Sequence, residues 1–272
     1  MIKIEVNRFY IGEAAEIMCD MPANFVDLTI TSPPYDKMRS YEGSLFTFED
    51  FKSIAKQLYR VTKPGGVVVW IVGDQTKDGT ESLTSFKHAL YFKDGCGFKI
   101  HDTMIYEKTG FSNPSSNRYH QIFEYMFVLV KGKLKTFNPI KDRKNIYAGQ
   151  TRWGKNTIRQ FDGSLKERSD TKPTQEYGMR FNIWRISAGG NVSTPDKIAF
   201  DHPAIFPEQL AKDHILSWSN EGDLVLDPLC GSGTTCKMAH LLNRNWIGID
   251  MVQKYITIAG KRLENYGWKK EI

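Results

Sequence analysis

The stretch Asp223–Asp250, which reads DLVLDPLCGSGTTCKMAHLLNRNWIGID, decides the fold class of this chain. Within it an apolar segment, a turn of small residues, a helix-forming segment and a second apolar segment follow one another, which predicts a βαβ unit. We place the strands at Asp223–Leu226 and Asn245–Ile249, the turn at Gly231–Gly233 and the helix at Thr234–Leu242. A turn of small residues after a strand lets the backbone approach a ligand closely, so this unit is also a candidate binding site.

The acidic residues of the same unit indicate the kind of ligand. Asp250 lies 23 residues after Asp227, at the end of the second strand, where a carboxylate can accept hydrogen bonds from a ribose diol. The turn has neither the Lys of a phosphate-binding G-x-x-x-x-G-K-S/T loop nor a full G-x-G-x-x-G pattern, which argues against ATP and NAD. Gly231 and Gly233 alone also fit a plain tight turn, whereas Thr234 and the two acidic residues favour a nucleoside-binding site.

Strands and helices alternate along most of the remaining chain. The predicted strands are Phe25–Ile30, Val67–Val72, Thr103–Tyr106 and Glu124–Val130, and the predicted helices are Thr47–Val61, Ser82–Phe92, Pro207–Trp218 and Val252–Asn265. Such alternation predicts an α/β fold, in which helices cover both faces of a mostly parallel sheet.

The segment from Lys131 to Asn191 interrupts this alternation. It has little periodicity and scattered aromatic residues, and its part from Lys131 to Arg185 holds 14 Lys or Arg against 5 Asp or Glu. That local excess is larger than the net charge of +6 for the whole chain, so the remainder is slightly acidic. A basic segment on an acidic body is typical of a polyanion-binding surface, although charge alone fits a solvated loop region equally well. We therefore divide the chain into 1–130, an insertion at 131–191, and 192–272.

The overall composition is that of a globular protein. The chain has 272 residues, of which 40% are hydrophobic, and this is enough to bury a large core. No apolar run reaches the roughly 18 residues of a membrane helix, and the acidic N-terminal residues do not fit a signal peptide. The four cysteines form no C-x-x-C pair, so we expect reduced thiols, no metal site and a cytoplasmic location.

A second candidate site is the turn Thr31–Tyr35, which reads TSPPY and follows the first predicted strand. The two prolines make the backbone rigid and extended. The carbonyl groups that they fix, together with the hydroxyl of Ser32, can accept hydrogen bonds from an amino group. Tyr35 offers a flat ring on which a nucleic-acid base can stack. The pentapeptide on its own also fits a plain strand-ending turn.

Taken together, the TSPPY turn and the pattern DPLCGSGTT at Asp227–Thr235 resemble the amino-methyltransferases of DNA. The order of the two motifs, with the catalytic turn first, resembles the permuted β group of that family. Further segments that resemble the family are Arg60–Gly66, Asp102–Lys108 with Arg118 and Glu124, and His202–Pro207. The resemblance implies a Rossmann-like, S-adenosylmethionine-dependent methyltransferase sheet with helices on both faces, and it identifies the basic insertion as the target-recognition region.

The resemblance also implies the roles of individual residues. The implied catalytic residues are Ser32, Pro33, Pro34 and Tyr35, and the implied cofactor-binding residues are Phe206, Asp227, Pro228, Cys230, Gly231, Gly233, Thr234 and Asp250. The target amine would be held by Ser32 Oγ and the Pro33 carbonyl group for direct methyl transfer, with no catalytic His or Cys. For His202 we expect a pocket-lining or structural role, and Glu13 receives no role. The absence of a Pro-Cys nucleophile argues against methylation at carbon 5 of a base.

The resemblance implies double-stranded DNA with a flipped target base as the substrate, in a prokaryotic or phage-encoded enzyme. Ser at position 32 favours cytosine N4 over adenine N6, but either base offers an amino group that this turn can hold, so adenine stays open. A companion restriction nuclease and a homodimer also stay open. Two rivals are methylation of RNA or of a protein amide, against which the motif order and the basic insertion argue, and a DNA-binding protein with a vestigial pocket, against which the intact motifs argue.

Overall fold

The computed structural model describes residues 2–34, 46–110, 116–151, 157–167, 172–189 and 192–269. The chain divides into two compact units, of which the first comprises Met1–Asn138 with Asn182–Ile272 and the second comprises Pro139–Phe181. The flanks of the predicted insertion, residues 131–138 and 182–189, therefore belong to the first unit.

The described strands, in chain order, are β1 (Arg8–Ile11), β2 (Val26–Thr31), β3 (Thr62–Val72), β4 (Thr76–Lys77), β5 (Thr80–Glu81), β6 (Lys99–Lys108), β7 (Phe123–Val130), β8 (Arg143–Lys144), β9 (Thr157–Arg159), β10 (Leu165–Glu167), β11 (Tyr177–Gly178), β12 (Ile183–Ile186), β13 (Leu224–Asp227) and β14 (Asn245–Asp250). The described α-helices are α1 (Ala14–Cys19), α2 (Phe48–Val61), α3 (Thr84–Leu90), α4 (Glu208–Trp218), α5 (Thr234–Leu241) and α6 (Gln253–Glu264). A π-helical turn, Tyr91–Cys96, continues α3, and a 3-10 helix, Lys197–Asp201, precedes α4.

Among the described residues of the first unit, eight strands form one sheet in the order β1-β14-β13-β2-β3-β7-β6-β12. Neighbouring strands pair in parallel except at β7, which is antiparallel to both β3 and β6. The predicted α/β fold is confirmed, and one antiparallel strand makes the sheet mixed.

Helices cover both faces of the sheet, as the apolar runs of the central strands predict. In β3, Val67, Val69 and Ile71 belong to a buried cluster with apolar residues of α4, α5 and α6. The alternate residues Val68 and Trp70 belong to a second buried cluster, with residues of α1 and α2. Because side chains alternate along a strand, the two clusters lie on opposite faces of the sheet.

Helix α2 illustrates how the local sequence sets element boundaries. Thr47 caps its N-terminus: its side chain accepts from the backbone N–H of Asp50 and the Asp50 side chain accepts from the backbone N–H of Thr47, which is a capping box. The helix ends at Val61 as predicted. The following strand was predicted only after the glycines, but β3 already begins at Thr62, because Thr62 pairs with Val26 ahead of a register shift between Val26 and Leu28.

The second unit has two small antiparallel sheets among its described residues, β8 with β11 and β9 with β10. Within the unit, Arg180 and Asp142 form an ion pair at 2.5 Å, and the guanidinium of Arg143 lies 4.6 Å from the centroid of the Phe181 ring. Several large apolar side chains, Phe161 among them, are exposed. In the described parts of both units, no helix has the length and apolar character needed to cross a membrane.

Candidate active site

A cleft of about 1750 Å³ opens where five neighbouring parallel strands end at the same edge of the sheet. One lining residue lies at or just beyond the carboxyl end of each strand: Gly12 after β1, Ser32 after β2, Gly73 after β3, Asp227 on β13 and Asp250 on β14. Ligands of open α/β sheets bind at this edge, so the cleft is the candidate active site.

The cleft brings together most of the residues that the sequence singled out. Its lining includes Ser32, Pro33, Pro34, Phe206, Asp227, Pro228, Cys230, Gly231, Thr234 and Asp250. Tyr35 lies outside the described residues. Gly233 is absent from the described lining, because it faces helix α6: a Cβ on Gly233 would lie 2.6 Å from the Cβ of Ala259. Its position at φ 75° begins α5 and permits close contact between α5 and α6.

The catalytic turn and the cofactor turn emerge from neighbouring strands, since β2 and β13 pair in parallel. The hydroxyl of Thr31, the last residue of β2, donates a hydrogen bond of 2.8 Å to Oδ1 of Asp227, the last residue of β13. Thr31 is buried and leads directly into Ser32 and the two prolines. This side-chain bond therefore fixes the start of one turn against the start of the other.

Asp227 is a buried carboxylate with several donors. Oδ1 accepts from Thr31 and, at 3.2 Å, from the backbone N–H of Leu229. Burial nevertheless raises the pKa of Asp227 to about 6, because removal of the carboxylate from water outweighs the hydrogen bonds that favour its charged form. A carboxyl group in this position can bind a cationic or hydrogen-bond-donating ligand.

Asp250 connects the end of β14 to the cofactor turn. Its Oδ2 accepts from the backbone N–H of Gly231 at 2.9 Å, and its Oδ1 accepts from the backbone N–H of Val252 at 2.9 Å. Each carboxylate oxygen can accept a second hydrogen bond, so the side chain is oriented and still has capacity for a ligand. Burial raises the pKa of Asp250 above its usual value.

Gly231 forms the tightest part of the cofactor turn. Its φ is 48°, and a Cβ at this position would lie 2.7 Å from Nε2 of His202. The His202 ring is edge-on to Tyr255, with centroids 4.3 Å apart, and its Nδ1 lies 2.7 Å from the carbonyl oxygen of Ala204. His202 thus lines the cleft and occupies the space beside the glycine backbone.

Cys230 precedes this glycine with a buried thiol. Burial raises the pKa of Cys230 well above the usual range, and the pKa of the neighbouring buried thiol of Cys236 is also raised. A thiol that stays protonated is a poor nucleophile. The contribution of Cys230 to this wall of the cleft is therefore that of a small side chain and its backbone.

The sequence patterns assigned no role to several residues of the cleft. Gly12 and Glu13 lie on its wall, where the backbone N–H of Gly12 donates to the carbonyl oxygen of Asp250 at 3.1 Å. The sequence signal that could have indicated this position is the short run RFYI before Gly12, which forms β1. Asp74 also lines the cleft after β3, where it accepts from the backbone N–H of Ser85 at 2.9 Å at the start of α3. Nothing in the local sequence distinguishes Asp74 from an ordinary loop acid.

Known proteins resemble the chain along nearly its whole length. A family model for DNA methylases of the N6/N4 type matches residues 26–261. The orphan methyltransferase M.BamHII of Bacillus amyloliquefaciens is 57% identical over 241 residues, which covers 89% of this chain and 89% of that protein.

Solved structures show the same fold. The PvuII DNA methyltransferase, described as cytosine-N4-specific, aligns with a TM-score of 0.67 at 18% identity and covers 97% of this chain and 87% of its own. A DNA modification methylase from Thermus thermophilus, solved in complex with S-adenosyl-L-methionine, aligns with a TM-score of 0.61 at 22% identity and covers 96% of this chain and 97% of its own.

Proposed function

Because the chain belongs to the N6/N4 family of DNA methylases, we propose that it transfers the methyl group of S-adenosylmethionine to the exocyclic N4 of cytosine in duplex DNA. The observation that carries this proposal is the hydrogen bond between Thr31 and Asp227. It joins a turn suited to holding an amine to a turn suited to holding a nucleoside, which is the arrangement that direct transfer between two bound molecules requires.

The residues of the cofactor turn fit S-adenosylmethionine. Gly231 lines the cleft without a side chain, the carboxylate of Asp250 is held by two backbone N–H groups and can still accept from a ribose diol, and the acids of the cleft suit a cationic cofactor. We assign Phe206, Asp227, Pro228, Cys230, Gly231, Thr234 and Asp250 to its binding, with Gly233 shaping the turn from behind. When bound, this cofactor supplies a methyl group made electrophilic by its sulfonium.

The catalytic turn positions the nucleophile. The lone pair of the target amine is delocalised into the base, so hydrogen bonds from the amine to Ser32 Oγ and to the Pro33 carbonyl oxygen make the nitrogen more tetrahedral and aim its lone pair. The two prolines fix these acceptors in advance, and the rate gain comes from positioning and electrostatics. After the transfer, the methylated nitrogen is acidic and can lose its proton, so no strong base is required before it.

Base flipping brings the target into the cleft. It costs a few kcal/mol of stacking and pairing, and stacking on Tyr35 would offset roughly 1–3 kcal/mol of that. The second unit, with its Lys and Arg side chains, supplies the contacts to the phosphates and the target-recognition surface.

The cytosine assignment rests on Ser32, by resemblance to enzymes with a Ser-Pro-Pro-Tyr turn. The test is nucleoside mass spectrometry of DNA after incubation with the purified protein and S-adenosylmethionine. We expect N4-methylcytosine. N6-methyladenine would overturn the assignment of the base and leave the chemistry intact, whereas cofactor binding without any methylated base would direct the search to RNA or protein amides.

Ser32→Ala is expected to lower kcat by about tenfold to a hundredfold, in proportion to one lost transition-state hydrogen bond, with little change in the Kd for S-adenosylmethionine. Single-turnover kinetics and calorimetric titration measure the two quantities. Asp250→Ala is the matched control and should weaken the cofactor instead. Loss of cofactor affinity equal to the loss of rate in Ser32→Ala would contradict the catalytic role.

We also propose that methylation protects the recognition site from a restriction endonuclease of the same specificity. The names of type II methyltransferases among the relatives, such as M.BglII of Bacillus subtilis, support this proposal. Plasmid DNA from cells that express the protein should resist at least one endonuclease in a panel that cleaves the unmodified plasmid. The proposal would be contradicted if the plasmid were digested completely by every endonuclease whose recognition site includes the methylated sequence.

A further inference from the structure

Four charged side chains form a buried cluster behind the cofactor turn. Lys237 and Arg262 are 1% and 0% exposed, and they contact Asp196 and Glu208. Lys237 Nζ lies 2.7 Å from Asp196 Oδ2 and 2.7 Å from Glu208 Oε1. Arg262 lies 2.9 Å from the same two oxygens, through Nε and Nη2 respectively. The cluster joins α5 and α6 to the start of α4 and to the segment before the 3-10 helix.

Stability alone gives a weak reason for such a cluster. Burial removes water from every charge, and apolar residues of similar volume often stabilise a core at least as well as a buried ion network does. What a network of fixed hydrogen bonds provides beyond apolar packing is a defined position for each group that it holds. The relevant question is therefore which part of the cleft the cluster holds in place.

Arg262 extends from the cluster to the cofactor turn. Its Nη1 donates to the backbone carbonyl oxygen of Ser232 at 2.6 Å and to Oγ1 of Thr234 at 3.1 Å. Its Nη2 donates to Oγ1 of Thr194 at 3.2 Å. Ser232 and Thr234 both line the cleft. A planar guanidinium with five donors in a fixed arrangement holds all of these acceptors in one geometry.

The anchored residue lies between the two glycines of the turn. Ser232 stands between Gly231 and Gly233, which have φ values of 48° and 75°. Glycines in this region have wide conformational freedom, and that freedom must be lost when a ligand binds. A fixed carbonyl group between them removes much of it before binding and so lowers the entropic cost.

Lys237 provides a comparison within the same cluster. It is equally buried and contacts the same two acids, and its ammonium lies 4.1 Å from the centroid of the Tyr266 ring. The ammonium interacts with Asp196, Glu208 and Tyr266, and within the described part of the chain it has no hydrogen bond to the cofactor turn. Lys237 and Arg262 thus belong to the same cluster, but it is the Arg262 side chain that bonds to Ser232.

We propose that Arg262 is a positioning residue for S-adenosylmethionine, which holds the cofactor turn in its binding conformation through the Ser232 carbonyl group. This inference rests on the proposed function. Its consequence is separable from stability: loss of Arg262 weakens cofactor binding because the turn is released, whereas loss of Lys237 weakens the fold and leaves the turn anchored.

The experiment compares Arg262→Lys with Lys237→Met in the full chain. Arg262→Lys keeps the charge of the cluster and a partner for both acids, but it cannot reproduce the planar set of donors. Lys237→Met removes a charge and should lower the melting temperature more. We expect the Kd for S-adenosylmethionine to rise about tenfold or more in Arg262→Lys, because that variant loses a charge-assisted hydrogen bond to the cofactor turn. The Kd should rise less than about threefold in Lys237→Met, which loses no hydrogen bond to the turn. The kcat at saturating cofactor should stay near that of the wild type in Arg262→Lys.

The inference is overturned if Kd changes equally in the two variants or follows their melting temperatures. Hydrogen exchange of the wild-type protein tests it without any variant. The backbone amides of the cofactor turn should be protected before the cofactor is added, and protection that arises only on binding would overturn the inference. If the wild type binds no S-adenosylmethionine at all, the proposed function itself fails.

Discussion

Gly231 is required at its position for two independent reasons, one in its own backbone and one in a neighbour. A side chain at φ 48° costs roughly 1 kcal/mol, and a Cβ there would also meet the His202 ring. Gly231→Ala should therefore raise the Kd for S-adenosylmethionine by more than the fivefold or so that backbone strain alone explains. Calorimetric titration measures it.

The control is a double-variant cycle with His202→Ala. Removal of the ring opens the space that Cβ needs, so the double variant should recover the part of the loss that comes from the clash. If Gly231→Ala costs the same with and without the ring, His202 does not restrict this position.

Asp227 gives the site its own dependence on pH. Its pKa of about 6 lies above the usual 3.8, so its protonated form is favoured in the folded state. For a raised acid, the stabilisation is complete below the unfolded pKa and is lost as pH rises through the folded one. The stability of the ligand-free wild type, relative to Asp227→Asn, should increase by about 1 kcal/mol between pH 7.5 and pH 5. Urea unfolding at both pH values tests this, and a pH-independent difference would contradict it.

At the level of residues, the sequence motifs predicted the residues of the two turns that line the cleft. They did not predict residues whose roles depend on contacts with residues far away in the sequence. Turns of glycine and proline leave a local signature, which is why Ser32 and Gly231 could be named from the sequence. Thr31 was named as the start of the TSPPY turn but received no role, and Arg262 was not named at all. Thr31 matters because it bonds to Asp227 on the neighbouring strand, and Arg262 matters because it bonds to Ser232 from behind the turn. Neither a threonine at the end of a strand nor an arginine in a helix indicates such a partner in the sequence.

At the level of elements, His88 joins α3 to α2 and β3. Its ring stacks on Phe51 with centroids 3.7 Å apart, and its Nδ1 accepts from Nε1 of Trp70 at 3.2 Å. Burial lowers the pKa of His88 to about 3. A His held neutral contributes stability that is present above pH 6.5 and is lost as pH falls toward the folded pKa.

His88→Asn keeps a hydrogen-bond acceptor and removes the titration. The wild type should lose about 2 kcal/mol of stability relative to this variant between pH 7.5 and pH 5. Parallel stability curves for the wild type and His88→Asn would show that His88 does not titrate on unfolding. A fall in pH destabilises the protein through His88 and stabilises it through Asp227, so each effect is measured against the variant of its own residue.

Elements with strong periodicity were predicted within a few residues, among them α2, α4, α5 and β13. The missed elements are short or depend on partners. Strand β1 has only four residues, and it forms because β14 pairs with it along its whole length. Strand β12 lies in the segment predicted as an irregular insertion, and its pairing with β6 makes it part of the sheet. Pairing between strands is a property of the sheet and is invisible in a window of sequence.

At the level of the whole molecule, charge is unevenly distributed, and this should control DNA binding. Lys141, Lys144 and Lys166 are exposed in the second unit. Their combined replacement by Ala should weaken duplex binding and reduce the slope of log K against log salt by roughly one for each phosphate that the protein no longer neutralises. Fluorescence anisotropy at several salt concentrations measures both.

The matched control replaces three exposed lysines of the first unit, Lys93, Lys254 and Lys261. The net charge changes by the same amount, so a general electrostatic effect would appear in both triple variants. Equal slopes in the two would contradict a binding surface on the second unit.

The bond between Thr31 and Asp227 also has a consequence for synthesis on the ribosome. The two residues are 196 positions apart. At a translation rate of roughly 5–20 residues per second, β2 is made about 10–40 s before the strand that completes its neighbourhood. During that interval the edge of β2 that pairs with β13 lacks its partner strand. A message truncated before Asp227 therefore yields a polypeptide that has the catalytic turn and lacks the cofactor turn.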